Sequence, residues 1–484
     1  MSSLSCISNV VFAICKAAYH SIPFISVEGT QLFMSVVRTN CRTRFLVCLH
    51  LIRVAQEVSQ PPGITLGYMY LVVLLNLLRW QGFTLELLLV DLLKVPKEME
   101  VESSDDCLLA PELVHVLEAA YKVYGPALSQ LIHPTMRTAL VKGERIPHGL
   151  WVWHADNRKP EKYVVLYYLH GGGYCFFDGL TSHLEPVTRM VTALQDDLVA
   201  AGRIDYKVVA FILDYSLAPK EVLPTQVEEA VAGYKWILSQ KTFPVRASEV
   251  VVSGDSAGGA LTLSLLKCFA EGAFGSSSLP RPVCAHVASP MLSLSLGFSR
   301  GTYDFDRGFL SNSLLWYCAS CSLYGRPSRP GEHVDGADRP DEDTVLVKAA
   351  SEEWQKVRGS APFGKQERNP FFSFDYCDGS SSTFAGVPIL VQAGGCEGFI
   401  SEILAFVKRM GDGVALEVYE DRFHVFPTLS WMIPQGKMAI AQWASFATTA
   451  VTRKRLPLGH RVTVCSGGRL KAHPDLDWST AQSA

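Results

Sequence analysis

Val250-Val251-Val252-Ser253-Gly254-Asp255-Ser256-Ala257-Gly258-Gly259-Ala260-Leu261-Thr262-Leu263-Ser264-Leu265-Leu266 is the stretch whose reading decides the fold. It opens on three β-branched residues, which favour extended backbone, and passes through Gly-Asp-Ser-Ala-Gly. A helical pattern carrying Leu261, Leu263, Leu265 and Leu266 then runs on to Phe269. Strand, tight turn and helix are the setting in which a Gly-x-Ser-x-Gly serine is lifted out at the end of a sheet. Gly254 and Gly258 matter because the turn is strained and neighbouring Cβ atoms would collide there. Alone, the match is weak: in a chain with 37 glycines among 484 residues it arises by chance about 0.2 times.

A second motif changes that weight. The strand-like run Tyr163 to Leu169 delivers His170-Gly171-Gly172-Gly173 some eighty residues earlier, a sequence expected by chance well under about 0.01 times. Without side chains, these glycines allow backbone N–H groups to face a tetrahedral oxyanion. In this order the motifs are the two halves of a serine esterase site, oxyanion donors first and the nucleophile Ser256 second.

Chain order then directs the search for a base and an acid, which follow the serine with the acid first. His424, His460 and His473 come late enough. Only His424 sits just after a strand-like run, Ala415 to Tyr419, whereas the other two lie in a polar, basic tail. His424 is therefore the expected base. The run Val387 to Ala393 reads as a buried strand, and Glu397 is the first carboxylate in the loop after it, 27 residues before His424. Its role would be to accept the imidazole N–H and fix the tautomer. Glu402, about one helical turn further on, is the alternative; a solvated carboxylate at a helix start is the plainer account of either.

These motifs resemble the hormone-sensitive-lipase-like α/β hydrolases, and within them the fungal branch that includes steryl acetyl hydrolases. Asp214-Tyr215-Ser216-Leu217-Ala218-Pro219, Pro224-Thr225-Gln226 and Ser289-Pro290 add to the likeness, which covers about residues 110 to 450. The resemblance implies an α/β-hydrolase fold and names Ser256 as nucleophile and His424 as base. It also implies that Gly172, Gly173 and Ala257 supply the oxyanion N–H groups, with His170, Gly171, Gly254, Asp255 and Gly258 supporting the motifs. The family acid is more often Asp, in an Asp-x-x-x-Asp pattern; here Glu397 and Ser401 occupy the two places. Tyr174, Phe176 and Phe177 follow the glycines closely enough to line a substrate pocket or to be ordinary core aromatics. The implied reaction is removal of a short acyl group, acetyl by preference, from an apolar alcohol such as a sterol or fungal secondary metabolite. No metal or organic cofactor is called for. Transfer of the acyl group to another alcohol would use the same residues. A non-catalytic receptor on this fold typically lacks the base histidine, and His424 argues against that reading. A purely structural membrane protein would leave both motifs unexplained.

Composition sets the frame. A chain of 484 residues, 48 % hydrophobic, has material for one sizeable core and an extra segment. A net charge of −3 gives no reason to invoke nucleic acid. Strand and helix patterns alternate between about 160 and 450, which predicts a mostly parallel sheet with helices on both faces. We expect a hydrophobic N-terminal region over 1–105, a catalytic domain over 106–452 with a polar insertion at 326–369, and a flexible tail over 453–484. The apolar run Ile64–Leu78, followed by Arg79-Trp80 and a further apolar stretch to Leu93 broken by Glu86 and Asp91, is short for a bilayer span of about twenty residues. It reads either as a short or interfacial anchor or as a helix capping the site. No Lys or Arg precedes the apolar stretch Val10–Cys15, so a secretory signal is not expected. The thirteen cysteines are irregularly spaced, and none of the asparagines starts a glycosylation sequon. Cys318-Ala319-Ser320-Cys321 has no second pair to complete a zinc site and reads as core packing. An intracellular location follows, either at the endoplasmic reticulum membrane or in the cytoplasm. Oligomeric state is not legible.

Overall fold

The computed structural model describes residues 133–143, 147–155, 160–294, 312–326, 371–374, 381–395, 397–420, 422–430, 433–453, 461–464 and 470–472, with a few isolated positions besides. The chain separates into two units, Met1–Leu85 and Glu86–Ala484, where the sequence suggested a boundary at 105. The first unit, the apolar run at 64–93 and most of the insertion at 326–369 lie outside the described residues. Among the described residues, no helix is long and apolar enough to cross a membrane.

Ten strands form one sheet in the order β1-β2-β4-β3-β5-β6-β7-β8-β9-β10. They are β1 (Met136–Val141), β2 (Gly149–His154), β3 (Lys162–Leu169), β4 (Tyr206–Leu213), β5 (Val250–Asp255), β6 (Cys284–Ala288), β7 (Ile389–Gly394), β8 (Val414–Tyr419), β9 (Arg461–Val464) and β10 (Leu470–Ala472). From β4 through β3, β5, β6, β7 and β8 to β9 the pairing is parallel; β1, β2 and β10 run antiparallel to their neighbours. Among the described residues the helices with full ranges are α1 (Leu184–Ala200), α2 (Thr225–Leu238), α3 (Ala257–Glu271), α4 (Asn312–Tyr324), α5 (Ile400–Met410) and α6 (Pro434–Val451).

The central strands are apolar on both faces because both faces are covered. Val165, Tyr167 and Leu169 of β3 join a core with residues of α2, α3 and α5. Their neighbours Val164, Leu166 and Tyr168 join a second core with α1 and α6 on the opposite face. The expected α/β-hydrolase architecture is therefore present, with helices on both sides of a mostly parallel sheet. At its far edge, however, it differs from the sequence reading: residues 461–464 and 470–472, expected to be part of a loose tail, form β9 beside β8 and β10 beside β9. Arg461-Val462-Thr463-Val464 is too short to declare itself as a strand. Main-chain bonding to β8 gives the segment its order.

A row of polar side chains crosses four strands inside the protein. The Ser253 hydroxyl lies 2.7 Å from His286 Nδ1, and His286 Nε2 lies 3.0 Å from Gln392 Oε1. Gln392 Nε2 donates to Glu417 at 2.7 Å and to the Ala439 carbonyl of α6 at 2.8 Å, and the Tyr419 hydroxyl also donates to Glu417. Burial drives the His286 imidazole down to about 4, so it is neutral at pH 7.

Candidate active site

The candidate groups gather at the C-terminal ends of the parallel strands, where loops leave a doubly covered sheet. Ser256 follows β5 directly and takes φ 50° and ψ −119°, outside the comfortable range of an L-residue. The turn is held from both sides: Ser256 N–H donates to Ala288 O, and Met291 N–H donates to Ser256 O. Gly258 is required by space, since a Cβ there would run into the carbonyls of Leu169 and His170. A Cβ on Gly254 would meet the Gly258 carbonyl in the same way.

His424, on the loop after β8, lies with Nε2 2.9 Å from Ser256 Oγ. On the other side of the ring, Nδ1 is 3.8 Å from Glu397 Oε2, too long for a hydrogen bond. Phe399 meets the imidazole edge-on, with centroids 5.0 Å apart. Glu397 lies in the loop after β7, and Glu402 is in the first turn of α5. Glu397 is fully enclosed, and its Oε2 accepts from the Ser289 hydroxyl at 2.5 Å and from Gly394 N–H at 3.2 Å. Burial pushes this carboxyl up to about 8 despite those two donors. Burial likewise pushes the His424 imidazole down to about 3, with the Asp255 charge opposing it. Thus each group on its own favours its neutral form, and forming the imidazolium would require a charged partner close by.

Ser289 is a residue whose contribution sequence reasoning missed. It sits just after β6 at φ 49°, donates to Glu397 and accepts from Val425 N–H at 3.0 Å, so one hydroxyl ties the acid loop to the histidine loop. Its position at the end of a central strand was the available signal, and only the folded chain shows what it touches.

The glycine loop after β3 lies beside the elbow. Gly172 and Gly173 take φ 115° and 61°. No acceptor among the described residues is matched to the N–H groups of Gly172, Gly173 or Ala257. His170 stacks on Tyr215 with centroids 4.2 Å apart, and the Tyr215 hydroxyl donates to His170 O at 2.7 Å. Gly171 N–H donates to Asp255 Oδ1 at 3.0 Å, and the Tyr168 hydroxyl donates to the same oxygen at 2.8 Å. Behind Gly173 stands α4: a Cβ on Gly173 would meet Cys318 Sγ.

The three aromatics after the glycines divide between environments. Tyr174 is fully buried in the main core, and Phe176 is buried in a small cluster with Cys175, Cys318 and Cys321, stacked on Tyr317. Phe177 remains half-buried and faces His183 edge-on. The Cys318–Cys321 pair thus packs in an apolar cluster, as free thiols.

Comparison with known proteins agrees with this geometry. The chain is 27 % identical to an acetyl-hydrolase of Streptomyces hygroscopicus over 290 residues, 59 % of this chain and 76 % of that protein. It is 32 % identical to the carboxylesterase/phospholipase LipF of Mycobacterium tuberculosis over 309 residues, 63 % of this chain and 66 % of that one, just short of two thirds of its length. Its fold matches the crystal structure of an esterase from the bacterial hormone-sensitive lipase family, with TM-score 0.50, 20 % identity, and coverage of 75 % of this chain and 97 % of that one. The model of one family spans residues 166–428, just over half the chain, and that span runs from the strand before His170 to the loop after His424. On that match the chain belongs to the alpha/beta hydrolase fold family.

Proposed function

We propose that this protein is a serine carboxylic-ester hydrolase. Ser256 is the nucleophile, His424 the general base, Glu397 the acid that orients it, and the N–H groups of Gly172, Gly173 and Ala257 the oxyanion donors. The observation that carries the reading is the 2.9 Å contact between His424 Nε2 and Ser256 Oγ at a strained turn, beside a glycine loop whose N–H groups meet no acceptor among the described residues. Ser256 Oγ attacks the ester carbonyl while its proton passes to His424 Nε2, and the carbonyl electron pair moves onto the oxygen held by the three amides. Collapse breaks the ester C–O bond, and His424 protonates the departing alcohol. Water then repeats the sequence on the acyl-enzyme and releases the acid.

The substrate class is a short acyl ester, acetyl by preference, of an apolar alcohol such as a sterol or fungal secondary metabolite. Similarity to an acetyl-hydrolase supports the acyl part. The likeness of the motifs to fungal steryl acetyl hydrolases and the apolar run at 64–93 support the alcohol part. Membrane association through that run belongs to the same reading, and flotation of the full chain with lipid vesicles tests it.

Hydrolysis of p-nitrophenyl esters from acetyl to dodecanoyl, by wild type and by Ser256→Ala, tests the core of the proposal. Turnover is expected to peak at short chains and to fall at least about 10³-fold in the variant. A folded wild type that releases no nitrophenol at any length, or a variant that keeps full activity, overturns it.

A further inference from the structure

His183 enters neither motif, yet it is buried with both ring nitrogens engaged. Nε2 lies 3.3 Å from Asp255 Oδ1 and 3.5 Å from Oδ2. Nδ1 lies 2.8 Å from the Ser182 hydroxyl oxygen. That hydroxyl spends its one proton on the Asp178 carbonyl at 2.6 Å, so toward His183 it accepts. Both ring nitrogens are thereby placed to donate, as a protonated ring requires. The electrostatics agree: burial opposes the charge on His183, but Asp255 outweighs it and holds the ring above its ordinary value. Burial would raise Asp255, and His183 foremost among its partners brings it below the usual carboxylate range.

Removing both charges from water is expensive, so a buried ion pair is weak evidence of stabilisation and better evidence of a positional requirement. The position is informative here. Asp255 ends β5 and immediately precedes Ser256; its Oδ1 also accepts from Gly171 N–H and the Tyr168 hydroxyl. His183 leads into α1. One carboxylate thus joins the glycine loop, the elbow and the start of a helix. Gly171 packs so closely on this residue that a Cβ on it would meet the Asp255 carboxylate.

We propose that the buried Asp255–His183 pair positions the oxyanion hole: it exchanges no proton and touches no substrate, but fixes the Gly171–Gly173 loop in register with Ser256. This rests on the esterase reading above. A displacement near 1 Å in such a site costs on the order of 10²-fold in rate. The loss should appear in the transition state and not in ground-state binding.

Wild type, Asp255→Asn, His183→Gln and Tyr168→Phe are compared in full-length protein. The measurements are kcat and KM on p-nitrophenyl acetate, and the affinities of a short trifluoromethyl ketone and of the matching methyl ketone. The fluorinated ketone accepts Ser256 Oγ at its carbonyl carbon, sends the π pair to the oxygen as an oxyanion and passes the serine proton to His424. The methyl ketone binds without appreciable addition. Asp255→Asn and His183→Gln are expected to lower kcat about 10- to 100-fold, with KM within about threefold. They should weaken the fluorinated ketone by a similar factor and the methyl ketone by less than about twofold. Tyr168→Phe, which removes one of three donors, should show the same pattern at smaller size. The double variant Asp255→Asn/His183→Gln leaves no buried charge unpaired and takes the place of any single variant that does not fold. It should lose no more than the worse single change. Equal weakening of both ketones, or unchanged kcat, overturns the inference. A wild type that neither hydrolyses the ester nor binds the fluorinated ketone overturns the esterase reading instead.

Discussion

At the scale of single residues, the site depends on backbone that most side chains would refuse. Ser256, Ser289 and Val425 all take positive φ without being glycine, and all three meet around His424. Such conformations each cost of order 1–3 kcal/mol and persist where surrounding contacts over-determine them. Gly258→Ala adds a Cβ against two carbonyls that cannot yield. We expect this change to destabilise the protein by about 2–4 kcal/mol and to lower kcat sharply; thermal unfolding and p-nitrophenyl acetate turnover measure both. Glu397, the proposed acid, gives a second expectation. Because burial holds Glu397 up to about 8, the carboxylate needed to stabilise an imidazolium forms only as pH rises through that value. The rate should therefore climb toward alkaline pH with an inflection near 8, and the pH profile of kcat/KM reads it directly. Stability should move the other way. Between the ordinary carboxylate value and about 8 the folded state binds the extra proton, so folding weakens as pH rises across that window. Glu397→Gln mimics the protonated acid. Its unfolding temperature should match wild type at pH 5 and exceed it at pH 9, while its activity is lost at both.

At the scale of elements, α4 packs behind the Gly171–Gly173 loop, the proposed oxyanion loop. Cys318 fills the space beside Gly173, and the Ser322 hydroxyl lies 3.3 Å from the Gly173 carbonyl. Cys318→Leu would over-pack this contact. If the glycine amides hold the oxyanion as proposed, the expected result is a fall in kcat of about tenfold with KM little changed. Steady-state kinetics on the acetyl ester separate the two parameters. The same helix explains the placement of Phe176: the side chain stacks on Tyr317 and is enclosed, and Phe177 is the member of the aromatic trio left half-buried.

At the scale of the whole molecule, the sequence was most readable where a segment needs little help from the rest of the chain. The apolar runs of β3, β5, β7 and β8 announce buried strands, and chain order points to Ser256, Glu397 and His424, which the structure brings together. Tyr168 and His183 carried no such signal, and Ser289 only its place at a strand end, because their importance arises from contacts across 72 to 136 residues of sequence. β9 was unreadable for a related reason: its four residues have order as the neighbour of β8 and β10. Ending the chain after Arg453 should expose the β8 edge and lower the melting temperature, about 2–4 °C for each kcal/mol lost. Activity per folded molecule should stay within about twofold, and calorimetry with active-site titration checks both. The polar row from Ser253 to Tyr419 has a consequence of its own for assembly. Sliding any one of β5 to β8 by a residue turns its polar member to the other face, leaving a buried donor or acceptor without its mate. Apolar strands of similar shape would tolerate many misalignments; this row works as a key cut across four of them, and only the alignment that places Ser256, Glu397 and His424 at one rim turns it.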